Sequence, residues 1–166
     1  MSEIVSIVYK PESAAADAPD HYTRVPLANA TLVVGHGLHG DRKGQHPDRQ
    51  LNIMSFETLE ALRAEGFHTE PGQMGEQIVI REMDVAALAQ GAVLQLGGQA
   101  RVEVVKVRTG CERFEAVQGK PREQAARRLG VVARVVAGGP IRVGDAVKIV
   151  QPTTPSQAVS LPRRRS

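Results

Sequence analysis

The fold class is indicated most directly by one stretch, Val93-Leu-Gln-Leu-Gly-Gly-Gln-Ala-Arg-Val-Glu-Val-Val-Lys-Val-Arg108. Its two apolar, β-branched runs, residues 93–96 and 101–108, flank the pair Gly97-Gly98. Such runs favour strands, and two adjacent glycines between them are typical of a tight hairpin turn. The stretch therefore predicts two antiparallel strands joined by a hairpin.

Further short strands are predicted around this hairpin, at residues 3–10, 24–27, 30–34, 50–54, 76–81, 131–136 and 146–150. Loops separate them at residues 11–22, 35–49 and 68–75, and Gly138-Gly139-Pro140 is predicted to form a turn. Because the strands do not alternate with helices, a parallel α/β sheet is disfavoured. We predict a mainly β protein, a mostly antiparallel β-barrel with a few peripheral helices.

Two peripheral helices are predicted. The first has Ser55 as its N-cap and places Phe56, Leu59 and Leu62 on one buried face. The second covers residues 121–129, with a proline in its first turn.

Length and composition point to one domain. The chain has 166 residues, 42% of them hydrophobic, and a single cysteine. The lone cysteine excludes a disulfide framework, and no apolar run approaches the roughly 20 residues of a membrane span. We therefore expect a cytoplasmic enzyme or binding module without a secretory signal. Residues 1–151 would form the domain, and 152–166 a disordered basic tail.

The basic charge of the chain is concentrated at its end. Lysine and arginine total 21 against 18 acidic residues. Without the three consecutive arginines 163–165, both counts are 18. With aromatic residues at only 3% and no tryptophan, base-stacking surfaces are scarce. Nucleic acid is therefore a disfavoured partner.

The loop at residues 35–49 invites two interpretations that we weigh against a plain glycine-rich turn. Gly35-His-Gly-Leu-His-Gly40 matches a dinucleotide-binding pattern, but Gly44 and Pro47 break the helix that this pattern requires. A second interpretation is a zinc or iron site, for which His36, His39, Asp41 and His46 are the candidate ligands. Their spacing matches no strong metal motif, so histidines lining a polar pocket are favoured.

Cys111 is the candidate for chemistry in the segment 101–128, which has eight basic and four acidic residues. Nearby cations favour the thiolate, which is the nucleophilic and metal-binding form. An inert cysteine that packs as a small apolar residue is the equally weighted alternative. The residues alone leave both open.

Seven segments together resemble the MOSC family, which is named for the C-terminal domain of molybdenum-cofactor sulfurases. They occur in the family's order over about residues 4–150: His39-Gly-Asp-Arg42, Asp48-Arg-Gln-Leu51, Pro71-Gly-Gln-Met-Gly-Glu76, Leu96-Gly97, Cys111-Glu-Arg-Phe114, Gly130-Val-Val-Ala133, and Gly138 with Ile141-Arg-Val-Gly-Asp145. The resemblance is closest to small stand-alone bacterial members. It implies a MOSC-type β-barrel fold.

The resemblance also implies the site. Cys111 would ligate the metal of a molybdenum cofactor of the molybdopterin type, or carry sulfur as a persulfide. The implied cofactor-binding residues are His39, Gly40, Asp41, Arg42, Arg49, Gln50, Gly75, Glu76, Arg108, Thr109 and Arg113. Two positions depart from the family pattern: Gln77 replaces an asparagine after Gly75-Glu76, and Gly110 stands where relatives often have proline.

Small relatives imply a reductase of N-hydroxylated small molecules that takes electrons from an external redox partner. One cysteine cannot hold an iron–sulfur cluster, so we expect electrons from outside the chain. The alternative is a non-redox module that binds the cofactor, or relays sulfur from an external donor through a Cys111 persulfide. No pyridoxal phosphate is expected. A scaffold without chemistry is the third hypothesis.

Overall fold

Strands dominate the structure, a computed structural model that describes residues 1–12, 23–42 and 49–151. The described strands are β1 (Glu3–Tyr9), β2 (Val25–Pro26), β3 (Asn29–Val33), β4 (Gly37–Leu38), β5 (Leu51–Ser55), β6 (Ile78–Arg81), β7 (Val93–Leu96), β8 (Ala100–Val107), β9 (Val131–Ala137), β10 (Gly139–Arg142) and β11 (Val147–Gln151). The described helices are α1 (Phe56–Ala64) and α2 (Glu112–Gln118), with short 3₁₀ turns at Val85–Ala87 and Arg122–Ala125. The mainly β prediction is confirmed.

The larger sheet has eight strands in the order β11-β7-β8-β9-β5-β6-β1-β2. The predicted hairpin is present as β7 and β8, with Leu96 opposite Ala100 and Val93 opposite Glu103. All neighbouring pairs are antiparallel except β5 and β6, which α1 connects. A parallel pair needs a long crossover, and the helix supplies it.

The predicted closed barrel is not confirmed, because the ladder between the two ends of the sheet is incomplete. Strand β1 meets the segment before β11 through one isolated bridge, Glu3 with Ala146. Three backbone hydrogen bonds surround this bridge, including Ile4 N–H to the Asp145 carbonyl at 3.0 Å. The far end of β1 pairs instead with β2. The two ends of the sheet therefore approach each other without pairing along their length.

A second sheet of three strands, in the order β10-β3-β4, corrects two loop predictions. The predicted loop at 35–49 contains β4, because Gly35 and Gly37 adopt φ angles of +82° and +114° and close a short hairpin with β3. In the predicted turn at 138–140, Gly139 and Pro140 are the first residues of β10, which pairs with β3. Neither strand has the β-branched run by which strands are recognised in a sequence.

Two apolar clusters form the core. The larger fills the space between the sheets. The smaller joins α1 and α2 to strands β5 and β6, through Leu62, Phe114, Met54 and Val79. This smaller cluster positions the segment that carries Cys111, because Phe114 is fully buried one turn after it.

Helix α1 starts at the predicted residue with Ser55 at the N-cap position, but the Ser55 side chain makes no capping hydrogen bond. The Ser55 hydroxyl instead donates to the Met83 carbonyl at 2.6 Å and accepts from the Val85 N–H at 2.8 Å. Leu59 and Leu62 are buried as predicted, whereas Phe56 is 39% exposed. The prediction of Phe56 as a core residue is therefore wrong: it begins the helix at the edge of the apolar face.

The region after β8 differs most from the predicted elements. Helix α2 was not predicted, because its seven residues contain a single buried aromatic side chain and no apolar repeat. The predicted helix over 121–129 is only the 3₁₀ turn Arg122–Ala125. It stops there because the next residue, Ala126, adopts a ψ of 132°, which is extended rather than helical.

Parts of three predicted segments lie outside the described residues, namely 13–22, 43–48 and the tail 152–166. Within the described part of the chain, neither helix has the length and apolar character to span a membrane.

Candidate functional site

A cleft of about 650 Å³ opens beside the segment that leads to Cys111. We call it the arginine cleft. Its lining residues are Ala86, Val107, Arg108, Thr109, Gly110, Arg122, Glu123, Ala126, Arg127 and Leu129. The lining contains three arginines and one glutamate, so its formal charge is positive. Its volume lies within the range of about 300–1,000 Å³ that is usual for small-molecule pockets.

Cys111 directly follows the lining residue Gly110 and is exposed. It occupies the N-cap position of α2 in an extended conformation, and its carbonyl accepts the Glu115 N–H at 3.1 Å. The interpretation of Cys111 as a buried apolar residue is therefore wrong. Cys111 is exposed and lies one residue beyond the cleft lining in the chain.

Arg122 holds the segment before Cys111 in place. Its Nε and Nη2 donate to the two carboxylate oxygens of Glu115 at 3.0 and 3.1 Å, and its Nη1 donates to the Gly110 carbonyl at 3.3 Å. The hydrogen bonds and charge of Glu115 raise the pKa of Arg122, and the negative charges of Glu123 and of a Cys111 thiolate act in the same direction. Arg122 is thus a cation whose field reaches the sulfur.

The glycine at position 110 makes this contact possible. A Cβ there would lie 2.9 Å from the Arg122 Cβ and 3.2 Å from a ring carbon of Phe114. A proline would carry such a Cβ and would push Arg122 away from the carbonyl of residue 110. The departure from the family pattern at Gly110 therefore accompanies the close approach of Arg122.

Arg108 lines the cleft but is directed mainly into the protein. It is buried, and its Nη2 donates to the Met74 carbonyl at 2.6 Å while its Nη1 lies 3.9 Å from the Met54 sulfur. Its backbone N–H donates to the Gly130 carbonyl at 3.0 Å. Arg108, predicted as one of the cofactor-binding residues, therefore connects the cleft to the loop around Met74.

Glu76 supports that same loop. Its Oε2 accepts the Gly72 N–H at 2.8 Å, its Oε1 accepts the Met74 N–H at 3.1 Å, and the side chain is buried. Burial raises the pKa of Glu76, against the opposing effects of these hydrogen bonds and of the Arg108 charge. The carboxylate is not part of the cleft lining. It shapes the loop that Arg108 contacts.

Gln118, the last residue of α2, also contacts this loop, and it was not among the predicted site residues. Its Nε2 donates to the His68 and Gln73 carbonyls at 2.9 and 3.0 Å, and its Oε1 accepts the His68 N–H at 2.6 Å. A buried glutamine before a helix-ending glycine carries no signal of such contacts in the sequence. Gln118 and Arg108 thus link the Gly75-Glu76 loop to both sides of Cys111.

The segment around Asp41 meets the Gly75-Glu76 segment through a buried polar network. Asp41 accepts the Lys10 N–H at 3.1 Å and the Gln77 amide at 3.3 Å. The Gln77 Oε1 accepts the Asn52 N–H at 2.7 Å, and the Asn52 amide donates to the Gly75 carbonyl at 3.0 Å. Gln77, the departure from the family asparagine, is thus the residue that joins the two segments.

The other predicted site residues are spread around this network. His39, Arg42 and Arg49 are exposed, and Arg42 and Arg49 flank residues that the structure does not describe. Gly40 accepts the Glu12 N–H, and the Gln50 side chain accepts the Val135 N–H at 2.8 Å.

Two predicted cofactor-binding residues lie beside Cys111. Thr109 is exposed in the cleft lining. Arg113 is half-buried on α2, and its Nε has no hydrogen-bond partner among the described residues. Arg108, Thr109 and Arg113 therefore lie within three residues of Cys111 in the chain, whereas Asp41 and Gln50 accept hydrogen bonds inside the protein.

The alternative metal site in the 35–49 loop has no support in the described residues, where no group of three or more histidine, cysteine, aspartate or glutamate side chains is placed to hold a metal ion. His46, one of its candidate ligands, lies outside the described residues.

Comparison with known proteins agrees with this fold. A family model described as the MOSC domain matches residues 39–148, which include the Gly75-Glu76 loop and Cys111. No curated protein matches the chain.

Three solved structures are similar. The YuaD protein from Bacillus subtilis has a TM-score of 0.70 at 17% identity, over 89% of this chain and 94% of its own. YiiM from Geobacillus stearothermophilus has a TM-score of 0.70 at 19% identity, over 91% and 76%. YiiM from Escherichia coli has a TM-score of 0.69 at 17% identity, over 93% and 72%. At these identities the likeness shows a common fold.

Proposed function

The chain belongs to the MOSC domain family, and on that basis we propose that it binds a molybdenum–pterin cofactor in the arginine cleft and reduces N-hydroxylated small molecules. The observation that carries the proposal is the exposed thiol of Cys111, next to a cleft lined by three arginines. A soft thiolate is a suitable ligand for such a metal, and guanidinium groups suit an anionic cofactor.

The residues present fit this group in size, charge and ligand type. The cleft of about 650 Å³ has an apolar part, formed by Ala86, Val107, Ala126 and Leu129, and a cationic part. An apolar wall suits a flat heterocycle, and the cations suit a phosphate. In this proposal Cys111 is the metal ligand, and Thr109, Arg108 and Arg113 are cofactor-binding residues close to it in the chain.

When bound, the cofactor would supply two-electron redox chemistry. Reduction of an N–OH group to N–H takes two electrons and two protons and releases water. The electrons would come from an external redox partner. Arg122 would hold the segment at Gly110 and favour the thiolate of Cys111 through its charge. We propose that this reaction takes place in the cytoplasm.

The proposal is tested by producing the chain in cells that make the cofactor, then measuring bound molybdenum and reduction of an N-hydroxylated base. We expect Cys111→Ser to lose the metal and lower turnover at least about 100-fold, because a hydroxyl is a poor replacement for a thiolate ligand. Glu112→Gln, a change at the exposed next residue, is the matched control and should retain both. A Cys111→Ser protein that keeps metal and turnover would contradict the proposal.

Exposure of the Cys111 thiol also favours a second candidate, a sulfur carrier. In that function the Cys111 thiolate would attack the outer sulfur of a persulfide on an external donor, which would form the new S–S bond on Cys111, break the donor's S–S bond and release the donor's thiolate. Mass spectrometry of the same preparation distinguishes the two candidates. A persulfide on Cys111 without bound molybdenum would support the carrier, whereas metal with turnover supports the reductase.

A further inference from the structure

We infer that Arg127 recognises an anionic group, a phosphate or a carboxylate, on the ligand of the arginine cleft. Arg127 was not among the residues that the family resemblance implies. The inference rests on the proposed function only for the choice of this cleft as the ligand site. The anionic group on the ligand is indicated by the residues that line the cleft.

The three arginines in the lining differ in the protein contacts that their side chains make. Arg122 is held by the carboxylate of Glu115 and by the Gly110 carbonyl. Arg108 is buried and donates to the Met74 carbonyl. Arg127, in contrast, is exposed and makes no side-chain hydrogen bond or ion pair within the described part of the chain. Its five N–H donors therefore have no protein acceptor among the described residues.

The backbone of Arg127 has an unusual conformation for a residue with a side chain. Its φ of +66° lies in the left-handed region, where a residue with a Cβ is strained. Glu82 is the only other non-glycine residue with positive φ among the described residues. Glycine would adopt this conformation without strain. Strained positions cluster at ligand-binding sites, because there a side chain has a use that offsets the strain.

The rest of the cleft lining is largely apolar. Ala86, Val107, Ala126 and Leu129 give an apolar surface, and Glu123 is the single carboxylate. A ligand that matches this lining has an apolar or heterocyclic body and one anionic end. A guanidinium binds phosphate and carboxylate through two parallel hydrogen bonds, so Arg127 in this lining is suited to bind that anionic end.

The anionic group has two sources, the cofactor or the substrate, and inorganic pyrophosphate probes both. Its binding is measured by calorimetry, first on the full chain purified without molybdenum and then on the cofactor-loaded protein. If the cofactor's phosphate occupies Arg127, pyrophosphate binds only to the metal-free protein. If Arg127 serves the substrate, pyrophosphate binds to both.

The decisive variants are Arg127→Gly and Arg127→Lys. We expect Arg127→Gly to weaken pyrophosphate binding to the metal-free protein by about tenfold or more, because a charge-assisted pair is lost. Arg127→Lys keeps the charge without the paired donors and should give an intermediate loss. Arg127→Gly relieves the backbone strain, so its thermal midpoint should equal or exceed that of the wild type, which excludes misfolding as the cause.

Arg142→Ala is the matched control, since Arg142 is an exposed arginine of strand β10 that does not line the arginine cleft. It should bind pyrophosphate as the wild type does. Equal affinity in wild type and Arg127→Gly, or no saturable binding by the wild type, would overturn the inference. Because the first measurement uses no molybdenum, failure of the proposed reductase function would leave this result readable on its own.

Discussion

Glu76 illustrates, at the scale of a single residue, how a carboxylate in a functional motif serves the protein itself. Both of its oxygens accept N–H groups of the preceding loop, and burial raises its pKa. An acidic side chain after a glycine-rich loop suggests a ligand contact in the sequence. In the structure its carboxylate accepts hydrogen bonds from the backbone of Gly72 and Met74. Glu76 therefore acts on the site indirectly, because it holds the loop whose Met74 carbonyl accepts from Arg108.

The raised pKa of Glu76 predicts a specific pH dependence of stability. A carboxyl whose folded pKa lies above its unfolded value contributes most to stability below the unfolded pKa, and this contribution is lost as the pH rises through the folded pKa. We therefore expect the free energy of unfolding of the wild type, minus that of Glu76→Gln, to fall as the pH rises from the acidic range to neutrality. Urea unfolding across that range measures the difference.

Glu65→Gln is the control for this prediction, with the opposite sign. The hydrogen bond from Arg128 lowers the pKa of Glu65, so its contribution is present above the unfolded pKa and is lost as the pH falls. The wild-type advantage over Glu65→Gln should grow with pH. A Glu76 difference that also grows with pH would contradict the assignment of burial as its dominant effect.

At the scale of elements, helix α2 depends on contacts outside itself. It has seven residues, too few for stability on its own. Phe114 packs in the smaller apolar cluster, Glu115 pairs with Arg122, and Gln118 bonds to the 68–73 segment. The position of Cys111 at its N-cap is therefore set by tertiary contacts.

Replacement of Gln118 tests this dependence. Gln118→Leu would leave two backbone carbonyls and one N–H of the loop without their partner, so we expect the free energy of unfolding to fall by about 2 kcal/mol or more. Gln124→Leu, the same change at an exposed position of the neighbouring 3₁₀ turn, should cost little. Urea unfolding of the Gln118→Leu and Gln124→Leu proteins measures the free energy of unfolding of each. An equal, small effect of both variants would show that Gln118 does not anchor the loop.

At the scale of the whole molecule, the last described strand completes the larger sheet. Strand β11 pairs with β7 up to Gln151, which lies opposite Val93. The chain up to residue 151 therefore contains the complete ladder of that sheet edge. Three of the 21 basic residues of the chain, the arginines 163–165, lie beyond it.

Deletion of residues 152–166 is predicted to leave fold and activity intact. The deletion keeps the β11–β7 ladder, so the thermal midpoint should stay within about 2 °C of the wild type, well under the shift that a loss of 1 kcal/mol gives. Bound molybdenum and turnover should also be retained. Loss of turnover with an unchanged thermal midpoint would assign the basic tail a part in the reaction.

Much of the strand pattern and the family were determined by local sequence. The β-branched runs and the Gly97-Gly98 pair predict the β7–β8 hairpin, because strand and turn preferences act over a few residues. Leu59 and Leu62 likewise predict the buried face of α1. The ordered segments around one cysteine identify the family, because the order of short motifs is itself a property of sequence.

Only the tertiary structure decided which of these side chains are exposed and which are buried in contacts with the protein. Glu76 and Arg108 turn inward, Cys111 is exposed, and Arg127 is left without a protein partner in the described part of the chain. The chemistry of each residue type is the same in all these settings. Whether a charge faces solvent depends on acceptors and donors that other segments bring, often more than 30 residues away, and on the desolvation that packing imposes.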